Sequence, residues 1–257
     1  MKTGNESGQK DALLKRWRAT QGQWDDAEFL KTTANAFMKL RWRRLNRRVA
    51  ARLLSLGAAK PDLVDVGCAH ADFFGYTKDG LGTYTGIEPS TALLPKNIQR
   101  GPSFKLLRGQ AEKLPLKKDS ADLVLIKEVL DHCHDPLKAL AEAHRVLRPG
   151  GTLLVTLTND KAWYKRLFPA SAARIKAGQD DHLYFFDPDQ VLDLARQAGF
   201  SERIEEDSHY LRLPGALEAL LGKLPDPLGS ALIALTDACG SLVLPGAGGS
   251  FWILAKK

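Results

Sequence analysis

The chain has 257 residues, 44% of them apolar, and a formal net charge of +7. That length supports one substantial core, so a single α/β domain with added helices is expected and two equal domains are not. No apolar run approaches the ~20 residues of a membrane span, Met1 to Gln9 is polar without a signal-peptide core, and Cys68, Cys133 and Cys239 have neither disulfide nor metal spacing; a soluble cytoplasmic protein with reduced thiols is expected.

The positive charge is unevenly placed. Residues 1–60 hold 14 Lys or Arg against 5 Asp or Glu, a local net of +9, which leaves −2 for the remaining residues. Residues 11–58 read as helical and contain Trp17, Trp24, Phe29, Phe37 and Trp42. In their densest basic part, Lys39 to Arg48 and on to Arg52, the spacing of Phe37, Leu40, Leu45, Val49 and Leu53 predicts a buried stripe with cationic side chains around it. Those cations could meet RNA, an anionic surface or an acidic substrate, or simply form a solvated helix face. Residues 1–58 are expected to form a helical cap within the same domain as residues 59–257.

Beyond residue 60, strand-like and helix-like segments alternate. Strands are predicted at 62–67, 83–88, 103–107, 121–126, 152–158, 201–207 and 250–256, which predicts a Rossmann-like, mostly parallel seven-stranded sheet with helices on both faces. Asp135-Pro136 opens the clearest helix, with Leu137, Leu140, Ala141, Val146 and Leu147 as its buried face, and Arg148-Pro149-Gly150-Gly151 is read as the turn into the next strand. His144 in that helix reads as structural. Residues 214–249 form a helical insertion before the last strand, punctuated by Pro225, Pro227 and Pro245. Cap and insertion are the natural walls of a substrate pocket, with Phe29 on the cap as one of its lining residues.

The most informative segment is Leu63 to Gly75. An apolar run ends in Gly67-Cys68-Ala69-His70-Ala71-Asp72, a turn of small residues against which a nucleotide-like ligand can press. A dinucleotide-binding turn places its third glycine where Asp72 stands, and a carboxylate there repels pyrophosphate. A cofactor with an adenosine, no phosphate and a cationic amino group escapes that conflict, as S-adenosylmethionine does. A nicotinamide-dependent dehydrogenase is disfavoured by both Asp72 and Ala69.

Taken in order, Val64 to Ala71, Tyr84 to Ser90, Gly109 to Pro115, Ser120 to Val124, Glu128 to His132, Ala143 to Gly151 and His182 to Phe186 resemble the motifs of the class I S-adenosylmethionine-dependent methyltransferases, in particular the small-molecule group. The resemblance covers about residues 60–200. It implies a cofactor site made of Asp65, Gly67, Cys68, Ala69, Asp72, Glu88, Pro89, Gln110, Ala111, Ile126 and Lys127. In that reading Glu88 accepts the ribose hydroxyls, Asp65 orients the turn or meets the cofactor's amino group, Gln110 and Ala111 flank the adenine, and Ile126 and Lys127 lie under the methionine portion. Gln110 replaces a common acid. Ala69 and Ala71 replace common glycines, so a reduced cofactor affinity is expected if either position needs positive φ.

For a hydroxyl acceptor a base must remove the proton, and His132, His134 and His182 are the candidates, with His182 first, His132 second and Tyr184 lining the pocket beside them. Each of these histidines can equally fix a loop by hydrogen bonding. No metal site is expected, because the adjacent His132, Cys133, His134 and Asp135 cannot readily converge on one ion. The reading is therefore a methyltransferase acting on a small molecule, with an RNA methyltransferase using the basic helix, or a non-catalytic scaffold of the same fold, as alternatives. Oligomeric state and acceptor identity are not legible.

Overall fold

Four consecutive residues, Leu123 to Ile126, are at most 1% exposed, the mark of a parallel strand covered on both faces. They form the middle of β4 (Ala121–Lys127). The computed structural model describes residues 36–56, 59–90, 93, 94, 101–170, 173, 182–211 and 215–257. The expectations placed on Trp17, Trp24 and Phe29 lie outside the described residues.

Around β4 stand β1 (Asp62–Val66), β2 (Thr83–Glu88), β3 (Phe104–Arg108), β5 (Leu147–Thr158), β6 (Ser201–Ser208) and β7 (Ser250–Lys256), in one seven-stranded sheet of order β3-β2-β1-β4-β5-β7-β6. The pairs from β3 across to β5 are parallel, while β7 is antiparallel to both β5 and β6. Six strands thus run one way and β7 the other. From β1 the chain builds outward to β2 and β3, then returns to β4 on β1's other side. The carboxyl ends of β1 and β4 therefore flank the crevice where open α/β sheets bind ligands.

Alternate side chains of each strand enter opposite layers. Val64, Val66, Val124 and Ile126 pack with Leu140 and Val146 of α3 (Pro136–Val146) and Val191 of α5 (Pro188–Gln197). Leu63, Leu123 and Leu125 pack on the other face with Leu45, Val49 and Leu53 of α1 (Ala36–Leu56). All five residues of the stripe predicted for α1 are buried. The remaining helices are the short α2 (Phe74–Thr77) and α4 (Trp163–Leu167), and in the insertion α6 (Gly215–Leu221) and α7 (Asp226–Val243). None of the described helices is long and apolar enough to cross a membrane.

The expected turn at Arg148 to Gly151 is corrected. Strand β5 begins at Leu147, directly after α3, and pairs Leu147 with Ala121 before the register shifts to Leu123 opposite Thr152. Arg148 to Gly151 is an irregular stretch inside the strand, with Gly150 at φ 78°. Gly151 is needed there, since an added Cβ would lie 2.9 Å from the Arg148 carbonyl oxygen and 3.0 Å from that of Asp122. Arg148 joins the amino-terminal ends of the neighbouring strands β4 and β1 by bonding Asp122 at 2.6 Å and Asp62 at 3.0 Å.

Three arginines of α1 face acids of the insertion. Arg41 faces Glu218, Arg43 bonds Asp226, and Arg48 lies 3.6 Å from Asp237 and over the Trp252 ring. Helix α5 carries a capping box in which Asp187 accepts from the Gln190 N–H and Gln190 accepts from the Asp187 N–H. Replacing Asp187 with Ala is expected to cost about 1 kcal/mol, read as a fall of roughly 2–4 °C in Tm.

Candidate functional site

The turn after β1 folds back over the end of β2. The N–H groups of Gly67 and Cys68 both donate to the Ile87 carbonyl, at 2.7 and 3.1 Å. Gly67 sits at φ 73°, and a Cβ there would be 2.4 Å from Val129 Cγ2, so both conformation and packing demand glycine. Ala69 and Ala71 are at φ 44° and 59°: the two positions where the resemblance implies glycine lie in the left-handed region, and this chain holds them there with methyl groups attached. Such a residue costs about 1–2 kcal/mol.

Glu88 stabilises that strained turn. Its buried carboxylate accepts from the Ala69 N–H at 3.2 Å and the Ser90 N–H at 2.9 Å. Burial raises its pKa, opposed by the bonds from Ser90 and Ala69. A carboxylate has about four acceptor positions, so two stay available to a ribose. Cys68 is buried, and burial pushes its thiol far up, which makes it a packing residue. Asp72 is exposed at the entrance to α2.

Beside the turn, Pro89, Arg108, Gly109, Gln110 and Lys113 line an open cleft of about 320 Å³ between the ends of β2 and β3. Of the pair expected to flank the adenine, Gln110 lines this cleft and Ala111 packs into the core. Arg108, Gly109 and Lys113 were missed as lining residues, because their roles depend on how the strand end twists and carry no motif of their own. Gly109 allows close packing, since a Cβ would lie 2.6 Å from Pro115 and 3.0 Å from Ile87.

Asp65 is 2% exposed and accepts the Tyr84 hydroxyl hydrogen bond. Burial raises its pKa to about 6, opposed by Tyr84 and by Lys127. Lys127 extends over the Trp42 ring of α1, 4.3 Å from its centroid. Ile126 is fully buried with its side chain in the core layer, which leaves its backbone for the rim. Glu128 follows at φ 53° and accepts from the Thr156 hydroxyl at 3.0 Å.

The candidate bases divide. His134 Nδ1 is 2.7 Å from Glu112, a 4% exposed carboxylate that also accepts the His134 N–H. Tyr184 donates to the His134 carbonyl oxygen and stacks on Phe186. His132 and His182, 50 residues apart in sequence, meet edge to face with ring centroids 4.6 Å apart. Between them lies Asp131, 2% exposed, with one oxygen 3.1 Å from His182 Nδ1 and the other 3.8 Å from His132 Nε2. The Asp131 carbonyl oxygen also accepts from Leu183 and Tyr184, which draws the His182 segment to the end of β4. Asp131 was missed as a site residue; its signal was an acid next to a candidate histidine.

Residues 64–155, which contain the turn, Glu88 and the Asp131–His132 pair, match the model of the methyltransferase domain family. Their fold is that of the class I methyltransferases. The cofactor of these S-adenosylmethionine-dependent methyltransferases is S-adenosylmethionine, and the residues suit it: buried carboxylates line the crevice, as a cationic ligand wants and a phosphate does not. A malonyl-[acyl-carrier protein] O-methyltransferase of Serratia marcescens is 28% identical over 156 residues, which are 60% of this chain and 55% of that one. A phthiotriol/phenolphthiotriol dimycocerosates methyltransferase of Mycobacterium ulcerans is 39% identical over 100 residues, 37% of this chain and 36% of that one. The chain thus spans about half or less of these curated relatives. An S-adenosylmethionine-dependent methyltransferase of Thermotoga maritima shares the fold, with a TM-score of 0.59 and 24% identity over 86% of this chain and 92% of that one.

Two sets of variants test how the methyltransferase turn is held. Gly67→Ala combines a strained φ with a clash and is expected to cost roughly 3 kcal/mol and to weaken cofactor binding in a calorimetric titration. Ala69→Gly relieves strain at a half-buried position and should gain about 0.5–1 kcal/mol; Ala71→Gly also removes a buried methyl and should be near neutral.

Asp65 gives a pH signature. Its folded pKa of about 6 lies above the ~3.9 of an unfolded Asp. The folded state therefore holds the proton more tightly. The associated stability is present below pH ~4 and is lost as pH rises through 6, about 3 kcal/mol in all. In Asp65→Asn, which can still accept from Tyr84, that loss should vanish. Thermal melts from pH 4 to 8 should show the variant gaining on the parent protein across that window.

Proposed function

We propose that this protein transfers a methyl group from S-adenosylmethionine to an oxygen, a hydroxyl in the first instance, of a small-molecule acceptor. The observation that carries this reading is the meeting of His132 and His182 around buried Asp131 at the carboxyl end of β4, beside the cofactor turn. A hydroxyl needs a proton acceptor placed next to it, and an imidazole titrates near neutral pH. The O-methyltransferase name of the Serratia marcescens relative agrees with an oxygen acceptor.

Within this reading S-adenosylmethionine supplies an electrophilic methyl on a cationic sulfur. Glu88 holds the ribose with the carboxylate positions its two backbone bonds leave over. Pro89 and Gln110 flank the adenine in the cleft they line. Gly67 lets the backbone come close, and the carboxylates of Asp65 and Glu88 favour the positive charge. His182 takes the acceptor's proton, and Asp131, at Nδ1, stabilises the resulting imidazolium. Tyr184 holds the His134 loop in place, and orientation supplies much of the remaining rate. The pairing of Arg41, Arg43 and Arg48 with acids of the insertion favours a small acceptor over RNA, because those guanidinium groups have an intramolecular use.

The experiment is incubation of the protein and methyl-labelled S-adenosylmethionine with a cell extract, followed by identification of the labelled product. A labelled small molecule carrying a methyl ether or ester is expected; label in RNA alone, or no transfer, overturns the proposal. With the acceptor in hand, His182→Ala should lower kcat by about 10²–10⁴-fold and leave cofactor affinity within roughly twofold. A kcat equal to the parent's would remove His182 from the mechanism.

A further inference from the structure

The cluster that the proposed function uses for proton removal has a second chemical capacity. Among the described residues, Asp131, His132 and His182 are the one group of three metal-ligating side chains whose ligand atoms all lie within 4.8 Å of one another. The separations are 3.1 Å from His182 Nδ1 to one Asp131 oxygen and 3.8 Å from His132 Nε2 to the other. A zinc ion with bonds of about 2.0–2.2 Å in tetrahedral geometry sets neighbouring ligand atoms roughly 3.4 Å apart. The three ligand atoms lie within 4.8 Å of one another, so side-chain rotations that close the widest gap by up to about 1.4 Å would bring them onto one ion.

Burial points the same way. Asp131 is 2% exposed, and its Oδ1 makes no hydrogen bond among the described residues. A buried carboxylate oxygen left so is costly and calls for a partner. His182 closes the inner side at 8% exposure, while the His132 side chain is 26% exposed and keeps one side open. The backbone is set for this arrangement: His132 closes a short 3-10 turn whose Asp131 carbonyl holds the segment beginning at His182.

We propose that Asp131, His132 and His182 form a binding site for a divalent first-row cation, zinc in the first instance, with a coordination position open to the acceptor. Two imidazoles and one carboxylate with an open position are the donor set of catalytic zinc and of non-haem iron sites. The inference rests on the reading of this cluster as the acceptor site. In the cation-free cluster His182 takes the acceptor's proton; in the loaded cluster His182 is a ligand, and the coordinated hydroxyl loses its proton to bulk water because the cation lowers its pKa. The adjacent set His132 to Asp135 contributes only His132. Its other histidine is held by Glu112, and Cys133 is a buried thiol whose pKa burial raises well above its usual value.

The test uses the full chain, stripped with a chelator. Zn²⁺ titrated calorimetrically should bind 1:1, and His132→Ala and His182→Gln should each weaken it by more than about tenfold, at least the effect of losing a mere supporting group. Co²⁺ added to the unmutated protein should give the intense visible absorption of a four- or five-coordinate site. Equal Zn²⁺ affinity in both variants, or only the pale spectrum of hydrated Co²⁺, overturns the inference; the spectrum decides even if a variant does not fold. A parallel titration of the stripped protein with S-adenosylhomocysteine separates the two readings. Cofactor binding without metal binding removes the metal site and leaves the methyltransferase reading standing; binding of neither removes both.

Discussion

The site depends on one backbone reversal. After β1 the chain doubles back so that two consecutive N–H groups, Gly67 and Cys68, reach the same carbonyl of Ile87, and the Glu88 carboxylate then fastens Ala69 and Ser90. This reversal places three residues at positive φ within five positions, two of them alanines. Strain of that kind persists only where surrounding contacts over-determine the conformation, and here the contacts come from the strand that also carries the ribose acid. The turn and the acid are thus one device: the carboxylate that would hold the ligand also pins the loop beside which the ligand lies.

A second constraint is electrostatic. Asp65, Glu88, Glu112 and Asp131 are each 2–6% exposed and lie at or just beyond the carboxyl ends of β1, β2, β3 and β4. Four buried acids along one rim are tolerable because each has a local partner: Tyr84, the Ala69 and Ser90 N–H groups, His134, and the His132–His182 pair. Their combined field disfavours phosphate and favours a cation. Asp72, the acid whose place in the turn speaks against phosphate in the sequence, is exposed and weaker than these four. The buried acids outweigh it at this rim, since buried charges act through a lower effective dielectric than a solvated one.

Much of this was legible because the physics is local. The strands appear close to their expected bounds, since a parallel sheet covered on both faces needs near-continuous apolar runs such as Leu123 to Ile126. The stripe of α1 followed from helical periodicity. What failed to show depends on distant contacts. Pro149 and two glycines read as a turn, yet Leu147 already pairs with Ala121, and only the register of β4 reveals it. The sequence leaves Lys127 either under the methionine portion or in solvent, and its contact with the Trp42 ring depends on a separate helix. Asp131 is not among the expected site residues, because what distinguishes it is His182, brought beside it from 50 residues downstream.

Helix α1 links these parts and explains where its charge went. It lies against the sheet through Leu45, Val49 and Leu53, reaches the rim through Trp42 over Lys127, and meets the insertion through Arg41, Arg43 and Arg48. Partly buried ion pairs such as Arg41 with Glu218 add little net stability, because desolvation offsets attraction, but an unpaired member would be costly. They therefore act mainly as a register: α6 and α7 can dock on α1 in the position that matches acid to arginine, and other positions leave charges buried alone. Since Lys127 stands on β4 within the field of Asp65, the same helix that fixes the insertion also touches the charge balance of the cofactor rim, so that the cap, the insertion and the crevice are held by a shared set of arginine and lysine contacts on one helix.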